Sequence, residues 1–223
     1  MAGDRLDELS MAMRVAREFR EGMYVNLGVG IPTLASSFVP PGMEVILHSE
    51  NGMLGFGPLV EDAAHADIFL INASVQPVSP RPGMCFFAHE ESFAMIRGGR
   101  IDITVLGALE VAENGDLANY QLPGKVCGSF GGGQDLAFCA RKVIAVMTHR
   151  TKDDRPKIVQ RVTLPLTAPR AVDRVVTDIA VIDVTPAGLL LREYVPGWTP
   201  EEIQALTAAP LRIADDLQPM TLA

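Results

Sequence analysis

The stretch Leu47-His48-Ser49-Glu50-Asn51-Gly52-Met53-Leu54-Gly55-Phe56-Gly57-Pro58 decides how this chain is read. Glu44 to His48 has the apolar character of a strand, and it runs directly into Ser49-Glu50-Asn51-Gly52. An acid therefore stands at a strand end, between a small polar residue and an Asn-Gly pair. Gly55, Gly57 and Pro58 follow as further turn formers. Open α/β sheets place their ligand crevices outside the carboxyl ends of their strands, so a carboxylate on this turn occupies a functional position. Nearby glycines let a ligand or a partner backbone approach closely. The competing reading is a structural glutamate whose neighbours form an Asx turn.

Outward from this stretch, strands and helices alternate. Asp4 is a candidate cap for a helix running to about Arg20, with Leu6, Leu9, Met13 and Ala16 on one face and Gly22 at its end. Met23 to Leu27 reads as a strand, and Pro32 fits the first turn of a helix through about Phe38. Asp67 to Ile71 and Ile101 to Leu106 are short apolar runs of the kind found in strands covered on both faces. Glu91 to Arg97 and Gln134 to Arg141 read as helices, and Val143 to Thr148 as a strand. Val111 to Tyr120, centred on Asn114-Gly115, carries a hairpin signal. Ile179 to Val184 and Leu189 to Glu193 form a second hairpin-like pair, and Glu201 to Thr207 a short helix. The tail from Leu211 carries no readable pattern. The alternation indicates an α/β fold, and the hairpins make its sheet mixed rather than purely parallel.

Composition narrows the function classes. The chain has 223 residues and 48% hydrophobic content, enough for one substantial core, so a single domain over residues 1–223 is expected. Its mean hydropathy of +0.20 is high, yet no uncharged apolar run approaches the roughly 18 to 20 residues of a membrane span. The beginning, MAGDRLDELS, has acids interspersed and no apolar core of a secretory signal, so a cytoplasmic location is expected. Cys85, Cys127 and Cys139 form no C-x-x-C pair, and His48, His65, His89 and His149 have no metal-binding spacing; neither a disulfide framework nor a metal site is expected. The formal net charge of -8 argues against nonspecific nucleic-acid binding. One segment runs the other way: Arg141, Lys142, Arg150, Lys152, Arg155, Lys157 and Arg161 are opposed only by Asp153 and Asp154. It reads either as a solvated basic face or as a contact for a polyanion such as coenzyme A.

Two glycine clusters accompany Glu50. Gly28-Val29-Gly30 follows a strand and opens a helix, an arrangement suited to anions in general. It is not a dinucleotide fingerprint, because Thr33 replaces the third glycine, and no G-K-[ST] follows to make a P-loop. Gly131-Gly132-Gly133 also precedes a helix, and its backbone N–H groups are candidates to meet an oxyanion. Taken singly, each cluster reads equally as a tight turn.

Together these motifs resemble a known family across most of the chain. Leu47 to Gly57 is similar to the beta-subunit signature of class I coenzyme A transferases, the 3-oxoacid CoA-transferases and their short-chain acyl relatives. The resemblance extends through Asn26-Leu27-Gly28-Val29-Gly30-Ile31-Pro32-Thr33, Ser92 to Gly99, Leu106 to Leu109, Gly115 to Asn119, Pro123-Gly124-Lys125, Gly131-Gly132 with Asp135, Leu164 to Thr167, and Val172-Asp173-Arg174. It implies an open, mostly parallel sheet with helices on both faces. It also implies a separate alpha-type partner subunit in a hetero-oligomer, with the active site between the two halves.

The resemblance implies a mechanism as well. The residue matching Glu50 attacks an acyl-CoA to give an acyl-glutamyl anhydride and then a glutamyl-CoA thioester. A carboxylic acid, a 3-oxoacid such as acetoacetate, then takes the coenzyme A. A glutamate side chain is ionised at neutral pH, so no general base is required. Asn26 and the backbone of Gly131 or Gly132 are the implied oxyanion and substrate-positioning groups, while Gly28, Gly30, Asn51 and Gly52 shape the site. No metal or redox cofactor is implied; coenzyme A is substrate and carrier. Two departures stand out. Asn72-Ala73-Ser74-Val75 replaces the Asn-Ala-Gly-Lys of many relatives, which makes succinyl-CoA a less secure substrate, and Glu110 stands where glutamine is usual. They leave open an acyl-CoA hydrolase on the same fold, and a non-catalytic binding subunit is the third reading.

Overall fold

The computed structural model describes residues 3–60, 62–124 and 130–222. Helix α1 (Glu8–Ala16) leads into β1 (Tyr24–Leu27), then α2 (Ile31–Leu34) with a 3-10 turn over Ala35–Phe38, and strands β2 (Ile46–Ser49), β3 (Met53–Leu54) and β4 (Cys85–Phe86). Next come α3 (His89–Arg97), β5 (Ile103–Gly107), β6 (Glu110–Ala112), β7 (Leu117–Ala118), α4 (Gly133–Cys139) and β8 (Val143–Val146). β9 (Ile158–Val159), β10 (Arg174–Val176), β11 (Ala180–Thr185), β12 (Gly188–Tyr194), α5 (Pro200–Leu206) and β13 (Leu211–Pro219) complete the order.

Among the described residues, ten strands form one mixed sheet in the order β13-β12-β11-β10-β8-β5-β1-β2-β3-β4, and β7-β6-β9 form a smaller one. The centre, from β10 through β8, β5 and β1 to β2, is parallel. Its strands read as continuous apolar runs because both faces are covered: all four residues of β8 and the first four of β5 are buried. Helix α1 packs on α2 and α3 on α4, and α2 and α4 both reach β5. The hairpins make the flanks antiparallel, with β10-β11-β12 on one side and β2-β3-β4 on the other.

Several elements differ from the sequence reading. Helix α1 starts at Glu8, capped by the Asp7 carboxylate, which accepts the Ser10 N–H at 2.7 Å; Asp4 instead uses its carbonyl to accept the Trp198 indole N–H. The buried face is formed by Met11, Ala12, Val15 and Ala16, while Leu9 is 55% exposed. Residues 67–71 are not a strand. The Asp67 carboxylate accepts the Phe69 N–H at 2.8 Å and bends the chain, leaving Ile68 76% and Phe69 84% exposed. The tail without a pattern forms β13, which pairs parallel to β12 at the sheet edge; with only Ala214 buried among its nine residues, burial imposes no alternation on it. The Asn114-Gly115 hairpin forms as β6 and β7, with Gly115 at φ +87° in its turn.

A buried ionic cluster ties α1 to the sheet. Glu18, just past the helix end, accepts from Arg14 and Lys142 at 2.8 Å and from Arg174 at 2.5 Å. Arg14 also pairs with Glu193 of β12 at 2.7 Å, and Arg174 with Asp183 of β11 at 2.6 Å. Burial alone would raise the Glu18 carboxyl, but Lys142, Arg174 and Arg14 together hold it down at about 2. Burial likewise holds His48 and His149 at about 4, in their neutral forms. All three groups bind protons more readily in the unfolded chain. The stability these three groups contribute is therefore fully present above about pH 6.5, falls first as the unfolded histidines charge, and falls again as pH drops through about 4.5 toward 2. Denaturant unfolding against pH should show both limbs, and Glu18→Gln should remove the lower one. At neutral pH Glu18→Ala should cost about 3 kcal/mol or more, since it strands buried cations.

Candidate active site

Strand β2 ends at Ser49, the chain turns over residues 50–52, and β3 returns antiparallel with His48 opposite Leu54 and Ser49 opposite Met53. Glu50 is thus carried on the turn at the carboxyl end of a parallel strand. The turn depends on Gly52, which has φ +115°; a Cβ there would stand 2.2 Å from the Phe87 carbonyl oxygen. Asn51 fastens the outside of the turn, its side-chain amide donating to the Ile71 carbonyl at 2.7 Å. Ser49 Oγ accepts the Ala73 N–H at 2.9 Å. These two bonds hold the 71–76 loop against the turn and bring Ala73 to the cleft wall.

Strand register supplies the other side of the site. Asn26 of β1 lies beside His48 of β2 and Thr104 of β5, and all three are buried. The Asn26 amide donates to Glu50 Oε2 at 3.2 Å, while its nitrogen also lies 3.1 Å from His48 Nδ1 and 3.3 Å from the His48 carbonyl. Thr104 Oγ1 stands 3.5 Å from Asn26 Oδ1. Burial keeps the His48 ring neutral, so with Nδ1 accepting from Asn26 the proton sits on Nε2 and is donated to Ser92 Oγ at 3.0 Å. A buried polar chain, Ser92 to His48 to Asn26, therefore ends at the Glu50 carboxylate.

The carboxylate is half-buried in a cleft of about 470 Å³ at the carboxyl ends of β1, β2 and β5. Leu106 to Leu109 form one wall, Tyr120 and Phe130 another, and Gly131 to Gly133 the approach to α4. Gly132 adjoins Glu50 directly: a Cβ there would lie 3.5 Å from Glu50 Cγ and 3.1 Å from the Phe93 ring. Gly131, at φ +48°, makes the bend before it. A larger hollow of about 650 Å³ lies toward the amino ends of β1 and β5, lined by Tyr24, Met95, Arg100 and Asp102. It lacks the carboxylate-and-amide pair, and chemistry favours the smaller cleft.

The structure thus gathers Glu50, Gly28, Gly131 and Gly132 at one cleft, with Asn26 buried behind Glu50 and bonded to it. Gly28 forms wall rather than anion cradle, since its N–H is taken by the Val105 carbonyl at 2.8 Å and its carbonyl accepts the Thr33 hydroxyl at 2.7 Å. Gly30, at φ +85°, starts α2 and is not part of the cleft wall. Glu110 is no free charge: it accepts from the Thr163 N–H and hydroxyl at 2.6 and 2.7 Å and from the Leu164 N–H at 3.1 Å. Cys127 and Lys125 lie outside the described residues. Sequence reasoning passed over His48, Ser92 and Thr104. The signal for His48 was its place at the end of the strand, two residues before Glu50.

Comparison with known proteins shows the family. Residues 9–206 match the model of the Coenzyme A transferase family. Human mitochondrial succinyl-CoA:3-ketoacid coenzyme A transferase 2 is 50% identical over 210 residues; the match covers 93% of this chain but 40% of that protein, so the chain spans about two fifths of that relative's length. One of the subunits of the 3-oxoadipate CoA-transferase of Acinetobacter baylyi is 48% identical over 212 residues, 95% of this chain and 97% of that one. Among solved structures, the acyl-CoA transferase YdiF apoenzyme of Escherichia coli O157:H7 superposes with a TM-score of 0.76 at 22% identity, over all of this chain and 44% of that one, which shows the shared fold. The chain belongs to the Coenzyme A transferase family.

Proposed function

We propose that this chain carries the nucleophile of a CoA-transferase and that Glu50 is that nucleophile. The observation that supports it is the Glu50 carboxylate at the parallel-strand ends, held by the Asn26 amide at 3.2 Å inside a cleft. The carboxylate attacks the thioester carbonyl of an acyl-CoA. The tetrahedral oxyanion collapses, expelling the CoA thiolate and leaving an acyl-glutamyl anhydride. The thiolate then attacks the glutamyl carbonyl, releasing the free acid and forming a glutamyl-CoA thioester. A second carboxylate attacks that thioester and the same steps run in reverse, ending with Glu50 as carboxylate and a new acyl-CoA. Protons and electrons balance without a base, a metal or a redox group.

Each neighbouring group then has a task. The Asn26 amide and the Gly132 N–H stabilise the oxyanions, a contribution worth about 3 kcal/mol per donor. His48 is a positioning residue: by accepting from Asn26 it fixes which end of the amide faces Glu50. An anhydride must be kept dry, yet Val29 at the cleft rim is 71% exposed. An alpha-type subunit provides the cover, a reading supported by the Acinetobacter relative, which this chain matches along nearly its whole length and which is named as one subunit of its enzyme. The names of the relatives favour a 3-oxoacid as acceptor. Among the described residues no helix is long and apolar enough to cross a membrane.

Two experiments test this. Co-expressed with its partner, Glu50→Ala should fold and lose transfer by about 10³-fold or more, whereas wild-type transfer by that variant removes the proposal. With a carboxylate acceptor present the parent should convert the donor into the acceptor's acyl-CoA without releasing free CoA; steady release of free CoA into buffer alone identifies a hydrolase instead. His48→Phe should lower kcat about tenfold or more with little change in KM, because the Asn26 donor loses its orientation. His48→Asn, which keeps an acceptor where Nδ1 stood, should restore part of that loss. Equal kcat in both variants would reduce His48 to packing.

A further inference from the structure

Several cations of the basic segment between residues 141 and 161 are already paired with acids. Lys142 pairs with Glu18 at 2.8 Å, Arg150 with Asp154 at 2.6 Å, and Arg155 faces Asp153 at 3.6 Å. Lys152 and Arg161 are exposed to solvent; Lys157 differs in being half-buried, and among the described residues its ammonium has no ion pair and no hydrogen bond. Its backbone is fixed, with its N–H donating to the His149 carbonyl at 3.1 Å and its carbonyl accepting the Val111 N–H at 2.9 Å. The residue lines a hollow of about 280 Å³ at the carboxyl ends of β1, β5 and β8, with Val29, Gly107, Ala108 and Thr148.

Two acids face this cation. Glu8 lines the same hollow but stands beyond ion-pair distance. Asp178 acts on it through space, but its carboxylate already accepts from Arg5 at 2.8 Å and from the His149 N–H at 2.6 Å. A cation partly withdrawn from water and lacking its own counter-ion is an incomplete interaction. Burial lowers its pKa to about 8, against the opposing pull of Asp178, so it is still mainly charged at neutral pH.

The position of the hollow identifies what completes it. Val29, Gly107 and Ala108 line both this hollow and the Glu50 cleft, so the two lie on either side of a common wall at the carboxyl ends of the strands. We infer that Lys157 and its hollow form a subsite for an anionic group of the acyl-CoA that reacts at Glu50. That group is either the distal carboxylate of a dicarboxylic acyl chain or a phosphate of coenzyme A. The inference rests on the CoA-transfer reading and adds an anion contact to it.

Binding measured without turnover tests it. In the assembled heteromer carrying Glu50→Ala, calorimetry gives Kd for succinyl-CoA, acetyl-CoA and S-acetylpantetheine, with Lys157 intact and as Lys157→Met; Lys157→Gln serves if the Met variant is unstable. Loss of the cation should weaken succinyl-CoA binding about tenfold or more, and Lys157→Arg should retain most of the affinity. A loss confined to succinyl-CoA assigns the distal carboxylate. An equal loss for both CoA esters, with S-acetylpantetheine unchanged, assigns a phosphate. In either case the difference should shrink as pH rises through about 8. Changes within twofold on all three ligands, an equal loss on all three, or no binding by any overturn the inference. Failure here with normal transfer by the parent leaves the CoA-transfer reading standing; a parent that binds but does not transfer removes that reading alone.

Discussion

The site depends on strand register. Three adjacent parallel strands bring Asn26 between His48 and Thr104, in a layer closed to water. A buried primary amide must satisfy its donors and its acceptor. Here His48 takes one direction and Thr104 stands near the amide oxygen, so one N–H is left directed at Glu50. A slip of one residue would turn the Asn26 side chain to the other face, separating it from the carboxylate. The apolar strands that make the core thereby also aim the amide.

The second constraint is the turn that carries Glu50. Gly52 permits a backbone path that any side chain would block against Phe87, and Asn51 and Ser49 each fasten the neighbouring loop. The charged side chain is therefore held by neighbours that hold each other. His48 adds to this without adding charge, because burial keeps its ring neutral down to about pH 4. A protonated ring could not accept from Asn26, so the same burial that costs stability in acid preserves the polar chain at neutral pH.

Much of this was legible in the sequence, for physical reasons. The parallel centre appears as uninterrupted apolar runs, and the hairpins as Asn114-Gly115 and the paired runs Ile179 to Val184 and Leu189 to Glu193, because turns and doubly covered strands impose strong local demands. Glu50, Asn26 and the glycines before α4 belonged to recognisable motifs, and the fold brings them together. Features set by distant partners were less visible. Residues 67–71 have a strand's composition, yet the Asp67 turn bends them outward. The tail forms β13 only because β12 offers an edge. Glu110 looked like an unbalanced charge until Thr163 and Leu164, more than fifty residues on, were found donating to it. Ser92 reaches His48 from a separate helix, a contact that spacing along the chain does not encode.

The proposed transfer runs through covalent chemistry at one carboxylate. Its most direct test is peptide mass spectrometry after mixing the heteromer with acyl-CoA and quenching with borohydride, which reduces a glutamyl thioester to a primary alcohol. The predicted result is that change on the Glu50 peptide, dependent on acyl-CoA. An unaltered Glu50, or the same change on another carboxylate, would contradict the account.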